Sequence, residues 1–518
     1  MSADQFNPLK NFKHDLPSSI VVFLVALPLC LGVALASGAP LFSGIIAGVV
    51  GGIVVGSLSG SALSVSGPAA GLTTIVLASI TKLGSFEAFL VAVFLGGLIQ
   101  FILGFLKAGT IGNYFPSAVI KGMLSAIGII LILKQIPHAL GYDKDFVGDE
   151  SFVQADGENT FTELLNAINY VSLGAVIIFL LSMFILILWE KPFIRDKKFS
   201  TIIPGPLIVV ALGVLVNLLF TSAFSDIALG KEHLVLLPVS DSVSSFISQF
   251  TFPDFSNVMN GTIWTVAFTI AIVASLESLL SIDAVDKLDP FKRSSPLNQE
   301  LKAQGMANMV SGLIGGLPVT AVIVRSSANV AAGARTKAST IIHGILLLLT
   351  AFLIPNALNQ IPLASLAAIL IMVGYKLAKP SLFQSMYSKG KDQFIPFVVT
   401  ILAILVTDLL IGITIGILVG LFFVLKSNFH KALFSVNEKN NYLIRLTKDV
   451  SFLNKALLRQ TFKDIPAGSK VIIDGSRSVF IDQDILETIN DFRESASNRD
   501  ISVELKQSVA ANNSIFKA

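Results

Sequence analysis

The residues that could do chemistry gather where apolar sequence is interrupted. Residues 315–325 read GGLPVTAVIVR, and residues 64–74 read SVSGPAAGLTT. Gly315, Gly316 and Pro318 disfavour a continuing helix, two for want of a side chain and one for want of a backbone donor. Gly67 and Pro68 break the second stretch in the same way. A helix that starts inside a bilayer leaves its first N–H groups unpaired. That end carries about half a positive charge. Two such ends facing each other bind an anion without a mobile counter-ion. The small run Gly67–Gly71 lets an anion approach, and Ser66, Thr73 and Thr320 add hydroxyl donors. Two plainer readings stand beside this one: a proline kink between loops, and small residues that only let helices pack closely.

Two charges accompany the breaks. The spacing puts Arg325 about two turns into the helix after Pro318. An arginine near the bilayer centre costs several kcal/mol unless paired. Its expected partner is Glu277, in ASLESLLSIDAVD (residues 274–286), with Ser278 beside it and Ser281 one turn on. One reading is a structural Arg–Glu pair. The other is functional: a carboxylate beside an anion site repels the anion until it binds a proton or sits beside Na⁺ held by oxygens such as Ser281. Either event couples anion entry to cation entry. Apart from that Na⁺ or H⁺, no cofactor is expected.

These residues need a membrane frame to position them. The chain has 518 residues, 53% hydrophobic and only 14% charged, against about a quarter charged in soluble proteins. Mean hydropathy is +0.77. This is an all-α polytopic membrane domain, surrounded by lipid. Glycines and polar clusters cut it into fourteen expected spans of about 20 residues. The two broken stretches open the third (66–81) and the tenth (319–332). Each is then third in a set of seven, which is the arithmetic of a 7+7 inverted repeat with its site at the midplane. Basic residues in short loops place both termini in the cytoplasm, and the first apolar run reads as a span rather than a cleaved signal. The single cysteine, Cys30, excludes an internal disulfide. The five histidines are scattered, so no metal motif is expected. No nucleophile–base pair supports an enzyme, and a net charge of +3 gives no pointer to nucleic acid.

From about Asn440 the texture changes. Tyr442–Leu446, Val471–Ile473 and Ile501–Leu505 read as strands, Phe452–Phe462 and Gln483–Ser495 as amphipathic helices. The expected organisation is a membrane domain over 1–430 and a small α/β cytoplasmic domain over 440–518, with loose final residues 508–518.

Several stretches carry a family resemblance: ALPLCLGVALASGAP (26–40), SVSGPAAG (64–71), SLESLLSIDAVDKL (275–288), NQELKAQGMANMVSGLIGGLP (298–318) and VRSSANVAAGARTK (324–337). Together they resemble the SulP family of sulfate permeases, the bacterial relatives of the solute carrier 26 proteins. That resemblance implies fourteen spans, core and gate subdomains, an elevator mechanism and a homodimer. It places substrate between the third and tenth spans, at Ala69, Ala70 and Thr320, Ala321, Val322 and Ile323, and makes Glu277 the coupling carboxylate. Leu29 stands where the family often has glutamine, and Ala321, Val322 and Ile323 make the pocket more apolar. The tail resembles a STAS domain, but Gln483 and Asp484 follow Asp482 where the phosphorylatable serine would stand.

The function expected is secondary active transport of bicarbonate or sulfate, coupled to Na⁺ or H⁺ or run as exchange. A nucleobase permease of the related uracil-transporter fold is the alternative; it needs ring-edge hydrogen-bonding groups on both the eighth and tenth spans. A third reading is a membrane-anchored binding module worked by its tail.

Overall fold

Backbone in an apolar surround has to satisfy its own hydrogen bonds, and most of this chain does so as helix. The computed structural model describes residues 8–68, 70–144, 159–195, 197, 203–239, 242–431, 433–446, 450–478 and 480–506. It divides into two compact units, Met1–Ile417 and Leu418–Ala518.

The first unit begins with α1 (Pro8–Ala36) and α2 (Leu41–Val50), which runs on through a π-helical turn, Gly51–Val55, to Leu58. Strand β1 (Ser66–Pro68) and α3 (Thr73–Leu83) follow. Next come α4 (Phe86–Phe105), α5 (Ser117–Leu140), α6 (Thr160–Asn169), α7 (Leu173–Trp189) and α8 (Gly205–Ala223). Beyond a long connection lie α9 (Gly261–Leu288), α10 (Leu297–Ile314), β2 (Val319–Ala321) and α11 (Ile323–Ala331). The last helices are α12 (Ala338–Leu353), α13 (Leu363–Leu377), α14 (Lys391–Val406) and α15 (Leu409–Lys431).

Among the described residues, seven helices are long and apolar enough to cross a membrane, or eight if α6 and α7, bent by 115°, count as one span. The expected third and tenth spans are not continuous helices. Each is a three-residue strand followed by a half-helix, α3 or α11.

Two helix groups stand out. In one, α4 packs on α10 and α9, and α1 packs on α12 and α2. In the other, α5 packs on α13 and α14, and α7 packs on α13 and α8. Glycines set the separation in both. A β-carbon on Gly305 would lie 2.7 Å from the Gly97 carbonyl oxygen, and one on Gly128 2.5 Å from that of Gly374. Side-chain-free contact of this kind substitutes for a hydrophobic drive between helices in lipid.

The second unit carries a four-stranded sheet, β3 (Leu433–Glu438), β4 (Asn441–Leu446), β5 (Lys470–Asp474) and β6 (Ser502–Lys506), in that order. β3–β4 is antiparallel; β4–β5 and β5–β6 are parallel. The parallel crossovers carry α16 (Lys455–Lys463) and α17 (Gln483–Ala496), whose Phe462 and Phe492 rings stack at 4.0 Å. Strand β3 falls in the stretch between the two expected domains and is missing from the sequence reading. Its exposed alternation with Ser435 and Asn437 carries a weak apolar signal. Residues 508–518, expected to be loose, lie outside the described residues.

Candidate functional site

The two broken stretches meet. β1 and β2 pair antiparallel, with Ser66 opposite Ala321, Gly67 opposite Thr320 and Pro68 opposite Val319. The pairing extends one step, as Val322 N donates to Val65 O at 3.0 Å. Extended backbone suits Val319–Val322, whose valines and threonine are stiff at χ1 and favour strand. The helix expected directly after Pro318 therefore starts only at Ile323. Thr320 and Ala321 are strand residues, Val322 is the N-cap, and Arg325 lies in the first turn of α11 rather than two turns in.

On the other side a short 3₁₀ turn, Ala70–Leu72, leads into α3 with Thr73 as its first residue. Ala69 lies outside the described residues, and of Ala70 only the backbone is described. No side chain caps α3 or α11. Ser66, Thr73, Thr320, Ala321 and Ile323 are buried; Gly71 and Val322 are half-buried. Among the described residues the Thr320 hydroxyl has no hydrogen-bond partner.

Arg325 is fully buried, and its guanidinium does not pair with Glu277. Nη2 donates to the Pro68 carbonyl at 3.4 Å, while Nε and Nη1 meet no oxygen or nitrogen acceptor among the described residues, with the neutral Cys30 thiol alongside. Gly67 makes room for it, because a β-carbon there would come within 2.0 Å of Nη1. Cys30 and His343 also lie near this cation, and neither ring nitrogen of His343 has a partner. Arginine and glutamate, expected as a pair, thus have different neighbours.

Glu277 faces the start of the other half-helix. A β-carbon on Gly71 would sit 3.2 Å from Glu277 Oε1. Next to it, Ser278 Oγ accepts from Ala321 N at 3.3 Å. Ser281 is buried one turn further on. One helix, α9, thus supplies a carboxylate near the α3 start and a hydroxyl that holds β2.

A row of residues on α10, inside the run 298–318 that the sequence reading quoted without giving its members a role, braces both strands. Gln304 Nε2 donates to Ser66 Oγ at 2.7 Å. Asn308 accepts from Val319 N at 2.6 Å and donates to Val319 O at 3.0 Å. Ser311 Oγ donates to Leu317 O at 2.7 Å. With Glu300 these fall at i, i+4, i+8 and i+11, one face of a helix. That spacing in an apolar span was the available signal.

A cavity of about 610 Å³ opens between α1 and α11 on one side and α7, α8 and α13 on the other. His14, Trp189, Ser327, Val373 and Lys376 help line it, and none of Thr320–Ile323 does. Among the described residues no group of three His, Cys, Asp or Glu side chains could hold a metal ion.

Comparison with known proteins places this arrangement. Relatives include YvdB of Bacillus subtilis (strain 168), 28% identical over 421 residues, spanning 81% of this chain and 74% of that one. The bicarbonate transporter BicA of Picosynechococcus sp. is 27% identical over 425 residues, spanning 79% and 70%. The fold matches murine Solute Carrier 26 family member A9 in its inward-facing state, with a TM-score of 0.67 at 16% identity over 95% of this chain and 85% of that one. The transmembrane domain of a cyanobacterial BicA matches with a TM-score of 0.54 at 24% identity over 79% and 98%. Residues 12–400 match the model of the sulfate permease family, and the chain, a multi-pass membrane protein, belongs to that family.

Proposed function

We propose that this chain is a secondary active transporter of a small inorganic anion, bicarbonate or sulfate, held between the starts of α3 and α11. The observation that carries this reading is Arg325: a fully buried guanidinium with two nitrogens that meet no oxygen or nitrogen acceptor among the described residues, beside two uncapped helix starts. A buried cation without a counter-charge costs several kcal/mol, and an anion in the gap supplies that charge. The N–H groups of both helix starts replace part of its hydration shell. Ser66, Gly71, Thr73 and Thr320–Ile323 form the pocket, with Thr320 Oγ1 free to donate; Ala69 and Ala70 are assigned to it from the sequence alone.

Glu277 near Gly71 makes the site selective for a loaded state. While ionised, it repels the anion at the α3 start; with a proton, or with Na⁺ shared with Ser281, it does not. Cation and anion therefore enter together. The group that holds β1 and β2 is the moving core and the α5–α13 group is the gate, in an elevator cycle. The full architecture is fourteen spans in a 7+7 inverted repeat, working as a homodimer in the cell membrane with both termini in the cytoplasm and a STAS-like tail.

Uptake of radiolabelled bicarbonate and sulfate into proteoliposomes, each with and without Na⁺ and with and without a pH gradient, tests this. Accumulation of one anion, stimulated by one cation, is the expected result. Absence of uptake of either anion under all these conditions would overturn the reading.

A further inference from the structure

One buried charge in α10 has no role in the site as built so far. Glu300 sits in the first turn of that helix and is 0% exposed. Its Oε2 lies 2.5 Å from the Ser59 hydroxyl oxygen, and its Oε1 accepts from Gln304 Nε2 at 3.0 Å. Both partners are neutral, and among the described residues no cation forms an ion pair with it.

The charges on surrounding elements are engaged elsewhere. On α9, Asp286 accepts from Ser295 N and Oγ, each at 2.6 Å, and adds like-charge repulsion. Arg293 is held by Asp289 and by the Arg335 carbonyl. Lys337 donates to the Ser57 and Ser59 carbonyls. Lys302, on α10 itself, lies over the Phe105 ring of α4 at 4.3 Å. The π-helical turn and β2, also packed on α10, carry no charge, and Lys107, before the 3₁₀ turn 108–114, is exposed.

Two neutral donors and the helix start offset only part of the cost of an ionised carboxylate here. Burying a bare carboxylate with no cation is costly, and Asp286 adds to that. We propose that Glu300 is a proton-binding site: its carboxyl holds a proton in this conformation and exchanges it through buried Ser59, which lies between exposed Leu58 and exposed Gly60. In the protonated form Oε2–H donates to Ser59 Oγ; on release H⁺ leaves Oε2, the group goes from neutral to −1, and the Ser59 hydroxyl turns to donate to it. Beside these residues a cavity of about 230 Å³, lined by Gly60, Ser61, Asp286 and Arg293, offers the path.

Resting on the anion-site reading, the proton also acts on β1. Gln304 Nε2 donates to both Glu300 and Ser66. An ionised Glu300 draws that amide more strongly, because charge-assisted hydrogen bonds are about twice as strong as neutral ones. The hold on Ser66 weakens accordingly, so proton occupancy biases the strand that lines the anion site.

Infrared spectroscopy of the full chain in lipid at neutral pH tests the proton directly. Wild type is expected to show a protonated-carboxyl C=O band that E300Q lacks, with E277Q run beside it to separate the contribution of Glu277. S59A keeps the carboxyl and removes its partner, and should shift the frequency of that band. Superimposable spectra for wild type and folded E300Q, or for wild type and S59A if E300Q does not fold, overturn the proposal. In proteoliposomes, where wild-type uptake varies up to about tenfold over a pH unit, E300Q should vary less steeply, keeping only the part that belongs to Glu277. A wild-type pH profile in E300Q would remove the link to β1. Failure of wild-type uptake would instead sink the transport reading and leave the infrared result to stand alone.

Discussion

Arg325 Nη1 occupies the space that a side chain on Gly67 would need: a β-carbon there would lie 2.0 Å away. The two residues are brought together by the β1–β2 pairing, and this contact decides where the buried guanidinium points. Gly67→Ala should therefore displace the guanidinium without removing it. Anion uptake is expected to fall by about tenfold or more, roughly 1.4 kcal/mol, at normal membrane expression. Wild-type uptake by Gly67→Ala would show that the guanidinium's position does not matter.

Glu277 is the next point of test. Glu277→Gln keeps the shape beside Gly71 and removes the charge. Uptake should persist while its dependence on Na⁺ or H⁺ flattens. If both dependences matched wild type in a folded variant, Glu277 would have no coupling role.

Asn308 supplies both hydrogen bonds of Val319. Asn308→Ala leaves a buried N–H and C=O unpaired, at about 1–3 kcal/mol each. KM for the anion should rise and thermal stability should fall, and Asn308→Asp should keep the N–H bond and lose the other. Unchanged KM in Asn308→Ala would make α10 a passive neighbour of the strands.

Just past the end of α5, Asp143 ties two histidines, one of them in the last turn of that helix. Its Oδ1 lies 2.6 Å from His138 Nδ1 and its Oδ2 2.6 Å from His233 Nδ1. Burial pushes the Asp143 carboxyl up, but the hydrogen bonds of His138 and His233 outweigh it and hold it below the usual carboxylate value. The bond to Asp143 raises His233, against a smaller effect of burial. The depressed carboxyl contributes stability above its unfolded value of about 4, lost as pH falls through its folded value. The raised histidine contributes stability below its unfolded value of about 6.5, lost as pH rises through its folded value. The clasp is therefore strongest between about pH 4 and 6.5. Melting temperature against pH should show this maximum in wild type, and Asp143→Asn should lower it by about 3 kcal/mol in equivalent stability. Identical melting curves across that window would dismiss the clasp.

Local composition was enough to read a mostly helical membrane chain, the two glycine–proline breaks and most of the tail, because each depends on residues within a few positions of one another; of fourteen expected spans, seven or eight are long, apolar helices among the described residues. Strand β4, strand β5 and α17 lie within one or two residues of their expected places. Two things were not legible. Ser66–Pro68 and Val319–Ala321 are separated by some 250 residues, and nothing local says that each break pairs with the other as a strand. Arg325 and Glu277 attract by charge in a sequence, yet the pairing register turns the guanidinium toward Pro68 while Glu277 lies against Gly71. Sequence by itself determined where the helices must break, since Gly and Pro disfavour a continuing helix. Only the tertiary structure decided which groups the helix starts beyond those breaks face, because strand register is set by contacts between distant parts of the chain.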